Sequence, residues 1–363
     1  MEQTTAKKNK YEIDMCNGTI MDKLISFSLP LMLSGILQLM FNAVDIIVVG
    51  RFSGSQALAA VGSTSALINV FTNLFIGISL GANVLTARFY AAGREKEVSE
   101  TVHTAITLAL VSGIVMALVG LVFSRGALAL MGTPDDVIGL SALYMRIYFL
   151  GMPFFMLYNY GAAILRAVGD TKRPLLFLMI AGVINACLNM VLVIVFKLGV
   201  AGVAIATVIS QMISCVLVLR CLCRSESSYR LRFSELGMKG YYLKQIFSVG
   251  VPAGIQSTVI NFSNVLLQSS VNSFGSTAMA GYTAANNLLG FLYVSVNSIT
   301  QACMSFTSQN YGVGKLKRMD RVLADCMILS VVVAVVLGCI CYGFGPEILQ
   351  IYTEDAEVIA CGM

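Results

Sequence analysis

The chain has 363 residues, of which 57% are hydrophobic and only 12% charged, and its mean hydropathy is +0.81. That balance is the one expected of a membrane protein, and it excludes an ordinary soluble domain. The net charge of +5 follows from how lysine and arginine are distributed among the loops and is no sign of a nucleic-acid partner.

Residues 1–23 form a polar leader carrying Lys7, Lys8 and Lys10. No small-residue cleavage site follows the first apolar run, so the leader does not read as a signal peptide and the first span is expected to remain. Apolar runs long enough to cross a bilayer, about 20 residues, lie at 24–50, 57–87, 101–124, 137–160, 174–196, 199–220, 244–272, 278–306 and 322–345. They predict nine spans and an all-α, polytopic membrane protein. Twenty of the 24 basic residues fall in the leader and the loops on its side, against three, Arg51, Arg125 and Lys197, on the other. Because such residues accumulate on the cytoplasmic side, the N-terminus is expected inside, in a multi-pass protein of the inner (cytoplasmic) membrane. Ten cysteines lie mostly in spans or inner loops, where reduced, space-filling thiols are expected. With one histidine, His103, no Gly-rich phosphate loop and no Ser/His/Asp set, neither an enzyme nor a metal or organic cofactor is expected.

The first span contains the stretch NAVDIIVVG, residues 42–50, and Asp45 is the only acidic residue well inside any run. An ionised aspartate near a helix centre costs about 2.5–3.5 kcal/mol to insert, and apolar surroundings favour the neutral carboxyl. A carboxyl that can take and release a proton there is a functional candidate; the bland alternative is a structural hydrogen-bonder. Ser34, Gln38, Asn42 and Asp45 share one helical face, and Pro30 predicts a kink below it. On the fifth span Asn185 and Asn189 are one turn apart, and on the sixth Thr207 lies eight residues past Gly199. At 1.5 Å per residue, Asp45 sits about 8 Å below Gly50, and Asn189 and Thr207 about 10–12 Å below their own outer ends, so all are expected in the outer half of the bundle. Asn69 and Asn73, Tyr144 and Asn159, Asn264 and Gln268, and Asn287, Tyr293 and Asn297 are candidates to line a cavity or to join neighbouring helices.

Sliding the sequence along itself by about 221 residues exposes an internal repeat. FSGSQALAAVGSTSAL from Phe52 answers SFGSTAMAGYTAANNL from Ser273, while Thr86, Tyr90, Gly93 and Arg94 fall on Thr307, Tyr311, Gly314 and Lys315. The first unit holds six spans, an even number, so the two units are expected to be parallel, an arrangement of transporters. The second unit stops near the match of Met131–Ala142 with Tyr352–Met363, about two and a half spans short. Asp45 is answered there by Leu266 or Leu267, so ion coupling is expected to rest on the first unit.

The stretches SLPLMLSGILQLMFNAVDIIVVGRFSGSQALAAVG (28–62), AILRAVGDTKRP (163–174), VINACLNMVLVIVF (183–196), LGVAGVAIATVISQ (198–211) and SVGVPAGIQ (248–256) resemble the multidrug and toxic compound extrusion (MATE) transporters, in particular their DinF-like bacterial branch. The resemblance implies two six-helix lobes around a central cavity, here residues 24–220 and an incomplete 244–363, joined by a cytoplasmic loop at 221–243. It implies export of amphipathic, mostly cationic small molecules against inward proton or sodium flow. The family's N-lobe cation site maps onto Asp45, Asn185 and Thr207, with Asn189 where some members have a second aspartate, a departure that disfavours sodium. The resulting reading is a monomeric proton antiporter working by alternating access. Asp45 carries the proton, Asn185, Asn189 and Thr207 surround it, Gln38 and Asn42 face substrate, and Pro30 is a hinge. Its rivals are a lipid-linked saccharide flippase of the same superfamily and a truncated, non-transporting membrane protein.

Overall fold

Where no water can satisfy a backbone amide or carbonyl, each segment must bond within itself, and the helix is the form that does so. A computed structural model describes residues 11–131, 133, 135–272, 276–350 and 356–363, and every regular element among them is helical. Lys7, Lys8, Lys10, residues 273–275 at the head of the matching stretch in the second copy, and the side chain of Gln268 lie outside what is described.

Helices α1 (Met21–Ser53), α2 (Ser55–Ala91) and α3 (Glu95–Leu130) open the first repeat. Next come α4 (Asp135–Leu150) and α5 (Met152–Ala167), then α6 (Lys172–Met190) with a π-helical turn at Val191–Val195, and α7 (Gly199–Cys223). The second repeat holds α8 (Gly240–Asn272), α9 (Ser276–Gly312), α10 (Leu316–Gly343) and the short α11 (Gly345–Leu349) and α12 (Ala356–Gly362). Six of these are long and apolar enough to cross a membrane alone, and seven with α4 and α5 counted together. The two further crossings expected from the sequence, α8 and α9, are long enough at 33 and 37 residues, but serine and asparagine dilute their apolar surface. The run expected as a single span at 137–160 is broken at Gly151, where α4 and α5 meet at 48°. Pro153 stands in the first turn of α5, where its missing amide leaves no bond unmade.

The repeat survives in three dimensions. α1 and α8 are both 33 residues with an internal proline, Pro30 and Pro252, and α2 and α9 are both 37 residues. α2 and α9 end in the same turn: Gly93 (φ 67°) and Gly314 (φ 71°) take the left-handed conformation that glycine adopts without strain. Their amides donate to Tyr90 O and Tyr311 O, both at 3.1 Å, and the following Arg94 and Lys315 amides reach Phe89 O and Asn310 O at 3.1 and 2.9 Å. α1 packs on α9 and α2 on α8, so exchanging the two repeats converts one pair into the other.

We call the side of the bundle bearing residues 11–20, Gly93, Gly169 and Gly314 the leader face, and the opposite side the far face. The connection from α7 to α8 lies on the leader face and has one 3-10 turn, Phe233–Glu235. His103 in α3 fastens it: Nδ1 donates to Ser99 O at 2.6 Å, which leaves Nε2 to accept the Arg232 amide at 3.0 Å. The single histidine is therefore a structural tie. One apolar core fills the first repeat around Phe149, Met152, Met156 and Tyr160. A smaller one joins Met15 and the start of α1, Leu24, Phe27 and Leu31, to Ile299 and Phe306 of α9 and Val322 and Cys326 of α10. α1 thus packs with the second repeat at its start and with the first at its end, where Val48 and Val49 enter the larger core.

The repeats touch backbone to backbone where Gly77 and Gly81 of α2 meet Gly250 and Gly254 of α8. A Cβ on Gly77 would lie 2.2 Å from the Gly254 Cα, and one on Gly81 would lie 2.2 Å from Ile246 O. Small residues four apart on both helices allow this backbone contact. Gly77→Ala is therefore expected to force the helices apart and lower the melting temperature of the detergent-solubilised protein by several degrees. Gly126→Ala, at a helical glycine with nothing within 4 Å, should hold or raise it. Equal effects of the two would show that the contact carries no stability.

Candidate functional site

Four polar side chains from three helices gather near the far face, amid otherwise apolar packing. Asp45 of α1 is 8% exposed, Asn185 and Asn189 of α6 are 5% and 0% exposed, and Thr207 of α7 is half-buried. Asn189 Nδ2 donates to Asp45 Oδ1 in a short hydrogen bond and reaches Asn185 Oδ1 at 3.2 Å. Asn185 Nδ2 reaches Thr207 Oγ1 at 3.5 Å. The Thr207 hydroxyl has one proton for two acceptors, its own Val203 O at 3.0 Å and Asp45 Oδ2 at 3.4 Å. Amide and hydroxyl donors aimed at a carboxylate offset part of the cost of ionising it away from water. Asn189 Oδ1 is buried with no partner among the described residues, so within them the group holds one acceptor beyond those it uses.

A knob and a hole one turn nearer the leader face set the register of this group. Phe41 precedes Asp45 by four residues, and Gly182 precedes Asn185 by three and Asn189 by seven, so each pair shares a helical face. A Cβ on Gly182 would lie 1.8 Å from the Phe41 ring, so only glycine leaves room for it. Beyond the site, the π-helical turn at Val191–Val195 begins two residues after Asn189; such turns recur at functional sites. Neither feature was apparent from the sequence. The one signal for the hole was a glycine in phase with the two asparagines, and the π turn left none.

The other candidates divide by exposure. On α1 the exposed apolar residues Leu29, Leu33, Met40 and Ile47 lie on one side at 100° per residue, while Gln38 and Asn42, also exposed, lie on the opposite side. One face suits lipid and the other a polar space beside Asp45. Asn69, Asn264, Asn287, Tyr293 and Asn297 are exposed and Asn73 is half-buried. Tyr144 does not line an open surface: it is 6% exposed and stacks on Tyr148 at 6.1 Å, and both rings lie within electrostatic range of Asp45. Asn159 bonds Phe155 O of its own helix at 2.8 Å. Pro30 is buried inside an unbroken α1, and Ser34 Oγ donates to Pro30 O at 2.8 Å.

The knob and hole yield a test. Gly182→Ala should displace α1 from α6 and lower the melting temperature by several degrees, and Phe41→Leu in the same chain should recover part of the loss. Additive effects of the two substitutions would mean that Phe41 does not set the register.

Comparison with known proteins gives a consistent result. The sequence profile of the family described as MatE matches residues 30–191 and 252–363. The chain is 34% identical over 342 residues to the "Probable multidrug resistance protein YoeA" of Bacillus subtilis, covering 92% of this chain and 73% of that protein. It is 22% identical over 340 residues to the "Multidrug export protein MepA" of Staphylococcus aureus, covering 93% and 74%. In three dimensions it matches a solved structure described as the "Outward-facing conformation of a multidrug resistance MATE family transporter of the MOP superfamily", with a TM-score of 0.91 and 21% identity over 98% of this chain and 80% of that one. At that identity the likeness is one of fold. A profile match over most of the chain, a relative at 34% identity and a shared fold together show that this multi-pass membrane protein belongs to the MATE family of transporters.

Proposed function

We propose that the protein is a proton-coupled antiporter that exports amphipathic organic cations by alternating access, with Asp45 as the proton carrier. The observation that carries the reading is the Asp45 group: a buried carboxylate held by Asn189 and Thr207, beside a helix face on which Gln38 and Asn42 are exposed. Ionised, Asp45 accepts from both donors and attracts a cation on that face. Protonated, it no longer attracts one, and the Thr207 hydroxyl turns to the nearer Val203 O. Each proton moving inward across 100 mV supplies about 2.3 kcal/mol. The names of YoeA and MepA, drug resistance and drug export, support the substrate class.

Proton is preferred to sodium because the site has one carboxylate, with an asparagine at 189 and donor hydrogens directed at Asp45. We take residues 24–220 and 244–363 as two lobes, the leader face as cytoplasmic, the chain as a monomer of the inner membrane in the DinF-like branch, and Pro30 as the point where α1 flexes. The basic residues gathered on the leader face support that orientation. A saccharide-lipid flippase would need more cations beside the cavity than this bundle offers, and a non-transporting protein would take up no protons in response to a drug.

Asp45→Asn keeps size and hydrogen bonding but cannot titrate. It is expected to express and melt like wild type or slightly better, yet to show no drug-dependent proton uptake in proteoliposomes. Asn185→Ala and Thr207→Ala should give partial losses. Wild-type proton-driven export by Asp45→Asn would make the carboxylate structural, and drug-dependent sodium flux in its place would reassign the ion. The orientation has its own check: cysteines placed at Lys172 and Lys239 should resist a membrane-impermeant thiol reagent in intact cells, whereas one at Ser53 should react. The reverse pattern would invert the topology.

A further inference from the structure

The segment ahead of α1 crosses the leader face and grips both repeats. On the first repeat, the Glu12 carboxylate accepts the phenol of Tyr90, at the end of α2, and that of Tyr229, in the inter-repeat connection, each at 2.8 Å. The Ile13 amide donates to Gly169 O at 3.2 Å. Gly169, at φ 96°, has the Ile13 carbonyl 2.6 Å from where a Cβ would stand, so the segment passes only because that residue is glycine. Burial pushes the Tyr229 phenol above its usual range, which keeps it a donor.

On the second repeat, Met15 is fully buried in the smaller apolar core. Its carbonyl accepts from Asn310 Nδ2 at 3.1 Å and Arg318 Nε at 3.4 Å. Lys315 Nζ donates to Cys16 O and Asn17 Oδ1, both at 2.9 Å, and Arg318 Nη2 donates to Asn17 O at 3.2 Å.

The repeat shows that this grip is built. In the first copy, Arg94 and Glu97 pair with each other at 2.6 Å at the start of α3. Their counterparts 221 residues on are Lys315 and Arg318, and Glu100 is answered by Arg321. These substitutions put cations at the start of α10, where the helix dipole disfavours them. Lys315 and Arg318 cannot pair with each other, and the carbonyls of residues 15–17 take the place of the lost carboxylate. Beneath the segment the repeats are joined by Ser305 Oγ to Asn83 Oδ1 at 3.1 Å and by Gln309 Nε2 to Ala167 O at 2.7 Å. An opening at the leader face has to part these bonds.

We propose that residues 12–17 are a detachable latch over the leader-face gate, permanently seated on the second repeat and released from the first at Glu12. The second-repeat side has the buried Met15 and bonds from Asn310, Lys315 and Arg318 to residues 15–17, and Lys23, at the start of α1 that packs on the same core, holds Asp14 O and Asn17 O; toward α2 and the inter-repeat connection the side-chain bonds converge on the single carboxylate of Glu12. The latch rests on the alternating-access reading, though not on its coupling ion.

The test uses the whole chain in detergent, with native cysteines replaced by serine and one reporter, Ser305→Cys, 1% exposed in the parent residue. Maleimide labelling of this reporter should be slow, and adding Glu12→Ala should speed it about tenfold, as loss of two hydrogen bonds to a charged group permits. Tyr229→Phe should fall between. A control reporter, Ser214→Cys within α7, should stay slow and the melting temperature should hold. Unchanged labelling at 305 overturns the latch, and so does faster labelling at both reporters, which would make the segment a brace for the whole fold. Because labelling requires no transport, failure of the latch and failure of Asp45 as carrier read out separately.

Discussion

A carboxylate placed where water is scarce must find its hydrogen bonds in the protein, and much of the first repeat is arranged around meeting that need for Asp45. One helix cannot do it. The donors come from α6 and α7, which must approach α1 at matching height, and the Phe41 ring in the space left by Gly182 fixes that height. The same constraint explains why α6 and α7 carry Asn185, Asn189 and Thr207 in runs that are otherwise mostly apolar. Each polar side chain there costs free energy alone and is stabilised as part of the group.

The two repeats share a frame but differ in what they hold. Their turns at Gly93 and Gly314 are alike to within a few degrees of φ, so the backbone plan is common to both. The chemistry has diverged at two heights. Near the far face Asp45 has only leucine for a counterpart, and at the leader face an acid–base pair is answered by two cations that hold backbone oxygens. A duplicated scaffold thus carries a titratable group on one side and a mechanical grip on the other.

How much of this was legible in the sequence depends on distance along the chain. Apolar runs gave the helices, because periodicity within a helix is local, although α2 and α3 extend four to six residues past their runs on the leader side, where polar residues continue the helix into water. Asp45 could be chosen as the lone acid inside a run, and Asn185, Asn189 and Thr207 from their spacing and depth together with the family resemblance. The break at Gly151 was missed although Pro153 signalled it, since hydropathy is blind to direction. The contacts of the leader could not be read at all: Cys16 and Lys315 are 299 residues apart, and no local pattern announces such a pair. Tyr144, a candidate either for a cavity wall or for a helix contact, lies buried against Tyr148, because which face of a helix opens is decided by its neighbours.

The glycine contact between α2 and α8 has a mechanical meaning. Backbones that touch without intervening side chains slide little but can tilt, so Gly77, Gly81, Gly250 and Gly254 form a fulcrum. It is off-centre. From Gly81 to the leader-face end of α2 is about 15 Å, and from Gly77 to its far-face end about 33 Å at the helical rise. A tilt that parts the short arm by a given amount therefore swings the long arm roughly twice as far, in the opposite sense. On the alternating-access reading proposed above, loosening a few bonds at the leader face, the Gly312–Arg88 contact among them, would be geared into a larger closure beside Asp45.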